Sequence, residues 1–125
     1  MKRPAVLLPA ALACILVWGP GAARAQDRSP AQRQTLGDLA YVLGESHALR
    51  QACQGPADQY WRNRMSDLLK VETSDEAFDR TLREAFNTGY AAAQAQFPAC
   101  DDHGRAQAAS LARRGASLAA EIGRP

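Results

Sequence analysis

Residues 73–98 read TSDEAFDRTLREAFNTGYAAAQAQFP, and this stretch decides the fold class. Phe78, Leu82, Phe86, Tyr90, Ala93 and Phe97 recur three or four residues apart. That is the period of one face of an α-helix, not the alternation of a strand. Thr73-Ser74-Asp75-Glu76 supplies a capping box ahead of the stripe, and Pro98 closes it. Punctuation and period agree, so a helix of about six turns is expected here.

The neighbouring stretches follow the same grammar. Upstream, Ser29-Pro30-x-Gln32 gives an N-cap, a proline at the first helical position and a capping-box glutamine. The helix it opens carries Leu36, Leu39, Val42, Leu43, Leu49 and Cys53 on one arc and stops near Gln54, at Gly55-Pro56. Pro56 is expected to start a second helix, with Trp61, Met65, Leu68 and Leu69 on its inner face. Downstream, Asp101 or Asp102 caps a fourth helix bearing Ala108, Leu111, Ala112, Leu118, Ala119 and Ile122. No segment reads as a strand. The expectation is an all-α fold, a compact bundle of about four helices. Gly89 and Gly115 fall inside apolar stripes and predict close backbone approach, whereas Gly44 lies at the edge of its stripe and says less.

The first 25 residues have a different character. Met1-Lys2-Arg3 is basic, Ala5–Trp18 is a run of 14 residues that is apolar apart from the break at Pro9, and Ala23-Arg24-Ala25 offers an A-x-A cleavage site. These are the three parts of a secretory signal peptide in order. The run is shorter than the ~20 residues a membrane span needs, so the chain is expected to meet the membrane only through this leader. Residues 26–125 would then be one exported helical domain, periplasmic or secreted, opening on a short tail over 26–29. The whole chain has 15 Lys and Arg against 13 Asp and Glu; losing Lys2, Arg3 and Arg24 takes the net charge from +2 to −1. A near-neutral domain is not built to hold nucleic acid by charge. Of three cysteines, Cys14 lies in the leader, leaving Cys53 and Cys100. Two cysteines in an oxidising compartment read as one disulfide. It would close a loop of 48 residues.

Polar residues on apolar arcs are the candidates for function. Arg50 projects near the middle of the first helix's arc and His47 near its edge. A buried guanidinium cannot shed its proton and demands a carboxylate or a set of carbonyls. Glu72 and Asp79, each on an apolar stripe, are the candidates. With Tyr90 these residues could form a polar pocket at one end of the bundle; a plain ion pair fixing helix register explains the same pattern. Trp61-Arg62 offers an aromatic and basic contact surface, or a core tryptophan beside a solvated arginine. Asn87 lies off its stripe, facing solvent or a neighbouring helix. Asp101-Asp102-His103 holds metal-ligating atoms, but helix capping accounts for the acids, and no metal or cofactor is expected. No nucleophile elbow, zinc-protease, P-loop or dinucleotide motif is present.

Three blocks carry a resemblance: Leu43-Gly44-Glu45-Ser46-His47-Ala48-Leu49-Arg50-x-x-Cys53; Trp61-Arg62-x-x-Met65-x-x-Leu68-Leu69; and Ala85-Phe86-Asn87-Thr88-Gly89-Tyr90 followed by Cys100. Over residues 36–122 the chain resembles a family of small exported alphaproteobacterial proteins of unknown function. The resemblance implies an exported helical domain and no particular substrate; helix four matches least. Together these readings predict a non-enzymatic envelope module that binds an envelope protein or a small ligand. The alternatives are an anion site around Arg50 and His47, and an envelope-polymer hydrolase working through Glu72 and Asp79.

Overall fold

The computed structural model describes residues 28–72 and 75–124. The leader, Gln26 and Asp27 of the tail, and Thr73 and Ser74 of the second capping box lie outside the described residues. Within them the chain forms four helices and no strand: α1 (Pro30–Gln54), α2 (Tyr60–Glu72), α3 (Glu76–Gln96) and α4 (Asp102–Ile122). No helix among them is long and apolar enough to cross a membrane.

The helix ends follow the local chemistry. Ser29 Oγ accepts from the Gln32 N–H at 3.1 Å, and the Gln32 side chain accepts from the Ser29 N–H at 2.9 Å, the reciprocal box expected from the sequence. α1 ends at Gly55, whose φ of 105° suits only glycine. Asp75, two residues later than the expected cap Thr73, caps α3 by accepting from the Phe78 N–H. Asp101, not Asp102, caps α4 through the Gly104 N–H. The second helix begins four residues later than Pro56. Asp58 is the reason: its carboxylate accepts from the Tyr60 N–H at 3.1 Å, and the Gln51 amide donates to the carbonyls of Pro56 and Asp58. These bonds hold residues 56–59 as a turn.

α1 is the hub. α2, α3 and α4 all pack on it; α2 barely meets α3, and α4 meets neither α2 nor α3 among the described residues. The helices alternate in direction along the chain, so α3 runs parallel to α1. Tight contact between these two is made by glycine. A Cβ on Gly44 would sit 1.9 Å from the Phe86 carbonyl oxygen, and one on Gly89 2.2 Å from that of Tyr41. Gly44 is thus a decisive contact rather than an edge position. Gly115 is not one, since its Cβ would meet only the Val42 side chain at 3.5 Å.

The main core joins Leu36, Leu39 and Leu43 of α1 to Met65 and Leu69 of α2 and to Phe78, Leu82 and Phe86 of α3. A second cluster of Val42, Leu49, Phe97 and Leu111 seats α4. Cys53 and Cys100 form the expected disulfide, tying the end of α1 to the turn before α4.

Candidate functional site

Two regions gather the polar and aromatic residues singled out from the sequence. The first is the end of the bundle where α1 meets the turn before α2. His47 is 2 % exposed, its ring 5.7 Å from that of Phe86 and 5.3 Å from that of Tyr90. Burial, then the charge of Arg62, hold its pKa below the ordinary value against the pull of Asp58. Its Nδ1 is buried without a hydrogen-bond partner among the described residues. The Tyr90 hydroxyl donates to Gln51 Oε1 at 2.6 Å.

Arg50 is not buried. It leaves the bundle at the end of α1, bonds Asp58 at 2.9 Å and lies 4.6 Å from the centre of the Tyr60 ring. Burial pushes the Asp58 carboxyl up, but the Tyr60 N–H and Arg50 outweigh it and hold its pKa below the usual value. Neither carboxylate expected beside Arg50 is there. Glu72 sits 12 residues along α2 from Tyr60, about 18 Å away along the helix axis. It is 6 % exposed and held by Arg28, whose Nε and Nη2 donate at 2.9 and 2.8 Å. Asp79 pairs with Arg83 one turn along α3. The expected pocket therefore keeps His47, Tyr90 and Arg50 at one end but loses both acids. Glu72 and Asp79 are each committed to a separate arginine. Arg62 and Asn87 do come together, on the rim of a small cleft of about 110 Å³ between α2 and α3 floored by Met65, Leu69 and Phe86. The ring of His103 packs 5.0 Å from that of Phe97, and no three His, Cys, Asp or Glu side chains among the described residues are placed to hold a metal.

The second region follows from α2 and α4 flanking α1 without touching. Between them runs a groove of about 360 Å³. Leu39, Val42, Leu43 and Ser46 of α1 make its floor; Trp61, Arg64 and Leu68 make one wall; Leu111, Ala112, Gly115, Ala116 and Ala119 make the other. Trp61 is half-buried, its ring edge-on to Tyr60 at 4.9 Å. At one end Arg28 crosses the gap, bonding Glu72 of α2 and the Ile122 carbonyl of α4. The volume and the mostly apolar lining with few polar groups match small-ligand sites in general. Of the groove residues, the sequence reading flagged Trp61 as a contact and put Ala112, Gly115 and Ala119 on the apolar face of the fourth helix, but it took that face as core and missed Arg64, Ser46 and Ala116. The signal was there: Ala112, Gly115, Ala116 and Ala119 are all small, which leaves room on that face.

A family model described as a protein of unknown function, DUF2385, matches residues 31–124. The chain belongs to the DUF2385 family. The match spans all four helices of this DUF2385 protein except the first residue of α1. No curated protein and no solved structure matches the chain.

Proposed function

We propose that this DUF2385 protein is an exported, non-enzymatic binding module of the cell envelope and that the α2–α4 groove is its binding site. Export rests on the basic, apolar and A-x-A parts of residues 1–25. The observation that carries the binding role is the groove itself. Leu39, Val42 and Leu43 of the hub helix face a gap that no part of the described chain fills, walled by an aromatic on one side and small residues on the other. Aromatic anchors beside such recesses are the usual makings of a binding hot spot. The anion site around Arg50 gains no support, because Asp58 already neutralises that guanidinium.

A photo-crosslinking residue at the exposed Ala112, introduced in producing cells, tests the reading. Intact mass of the recovered protein should show a discrete increment, lost when Ala116→Trp fills the groove and absent when the crosslinker stands at exposed Arg80 on α3. Equal labelling from both positions, or labelling that Ala116→Trp leaves intact, overturns it.

A further inference from the structure

We propose that the groove takes the hydrocarbon chain of a fatty carboxylate of about ten carbons, with Arg64 holding the carboxylate head. The inference rests on the groove being the binding site and goes beyond it by naming the ligand.

Shape comes first. Along α4 the groove wall runs from Leu111 to Ala119, about 12 Å at the helical rise. Over that length the groove holds about 360 Å³, a narrow recess. A single extended hydrocarbon chain is slim enough, and it asks nothing of the walls but apolar contact. The lining supplies that, with Ser46 and Arg64 as its polar members.

Charge decides the head. Arg64 stacks 5.2 Å from the centre of the Tyr60 ring and has no carboxylate partner among the described residues, whereas Arg50 against the same ring is neutralised by Asp58. Arg62, two residues earlier, also has no carboxylate partner among the described residues, but it stands on the α2–α3 cleft and not on the groove. The first turn of α2 contains no acidic residue. Asp58 already holds that N-terminus through the Tyr60 N–H, so Arg64 is the cation on the groove left without a carboxylate among the described residues. An anionic group at the Arg64 end of the groove would pair with it. One planar guanidinium on the groove matches one carboxylate, which it can grip through two parallel hydrogen bonds. Ser46, buried on the floor, makes no side-chain hydrogen bond among the described residues and offers a further donor. At the far end Arg28 is occupied by Glu72 and the Ile122 carbonyl, which leaves that end to the hydrocarbon tail.

The test reads Trp61, which the Trp18→Phe change leaves as the sole tryptophan of the chain. Protein purified after export is titrated at pH 8 with decanoate, 1-decanol and decyl phosphate, each below the concentration at which it aggregates. Decanoate should shift Trp61 emission saturably and bind about tenfold more tightly than 1-decanol, the difference expected of one charge-assisted contact. Arg64→Gln should erase that difference while leaving decanol binding unchanged, and Ala116→Phe, which fills the groove without adding a tryptophan, should abolish both. Equal affinity for decanoate and decanol, or an Arg64→Gln protein that still prefers decanoate, overturns the assignment of the head. Tighter binding of decyl phosphate than of decanoate overturns the carboxylate in favour of a phosphate head. If no amphiphile binds but the Ala112 crosslinker acquires a protein-sized adduct, the ligand is wrong and the groove stands. If neither probe labels the groove, both readings fall.

Discussion

Replacing Arg28 by Met should destabilise the protein far more than its place two residues before a helix suggests. Arg28 gives two hydrogen bonds to the Glu72 carboxylate, at 2.9 and 2.8 Å, and a third to the Ile122 carbonyl at 2.8 Å. The arginine side chain is 23 % exposed and that of Glu72 only 7 %, so truncating the arginine strands a carboxylate largely cut off from water. Breaking a fully buried pair costs about 3–5 kcal/mol. The partial exposure of Arg28 and its place at the edge of the bundle reduce this to about 2–3 kcal/mol. For a domain of this size that is a fall in Tm of about 10–15 °C. Glu72→Met should cost less, because it leaves an exposable guanidinium rather than a buried acid. The Arg28→Met/Glu72→Met double variant should recover most of the loss, since apolar groups of similar volume replace a paired set of charges at little cost. Thermal and urea unfolding of the four proteins gives the coupling directly, with about 2 kcal/mol expected. Additive effects, with the double variant the least stable, would refute the reasoning and show that Glu72 finds water in the folded state.

Three other outcomes are expected. Replacing Cys53 and Cys100 by Ser should lower stability by about 4 kcal/mol, the chain entropy of a loop this long; urea unfolding with and without reductant measures it. Gly44→Ala should cost about 3 kcal/mol or more, because the new methyl carbon starts 1.9 Å from the Phe86 carbonyl oxygen and only parting α1 from α3 relieves it; an unchanged Tm would contradict the close crossing. Burial holds the His47 pKa below its ordinary value in the folded state, whereas the unfolded chain takes up the proton near pH 6.5. Its contribution is therefore complete above that pH and fades as the pH falls below it, and His47→Gln should flatten the stability curve on the acid side of about pH 6.5.

The fold was legible because its determinants are local. The stripe from Phe78 to Phe97, the Ser29–Gln32 box and the Gly55 stop each act within a few residues, and the structure keeps all of them. The disulfide was legible because two cysteines allow one pairing. The ion pairs were not. A helical projection reports which face a residue occupies and nothing about its height along the bundle. Arg50 and Glu72 share an inward direction on helices that run antiparallel, yet stand near opposite ends. The real partners were an aspartate in the turn, Asp58, and an arginine ahead of the first helix, Arg28, outside every stripe. Gly44 was underrated for a related reason: its neighbour is the backbone of a helix more than 40 residues away, and no pattern in α1 alone reveals it.

The geometry of the hub also bears on which surface is a site. About six helices of equal diameter fit around one, and here three do, so α1 must face unfilled sectors. The sector between α3 and α4 presents Tyr41 and Glu45. Burial raises the Glu45 pKa, and the charge of Arg114 opposes it. Gln34 and Asp38 extend the same polar edge and bond each other at 3.2 Å. That sector is edged by polar side chains, with Tyr41 and Glu45 part-buried. The sector between α2 and α4 presents Leu39, Val42 and Leu43, and it stays unfilled although the alanines opposite leave room that larger side chains could have closed. If the gap were only a packing defect, Ala116→Leu or Ala112→Leu would fill it and raise the Tm at no cost to function. If it is a site, the same substitutions should raise the Tm and abolish ligand binding together, and that pairing separates a cavity kept for a ligand from one left by chance.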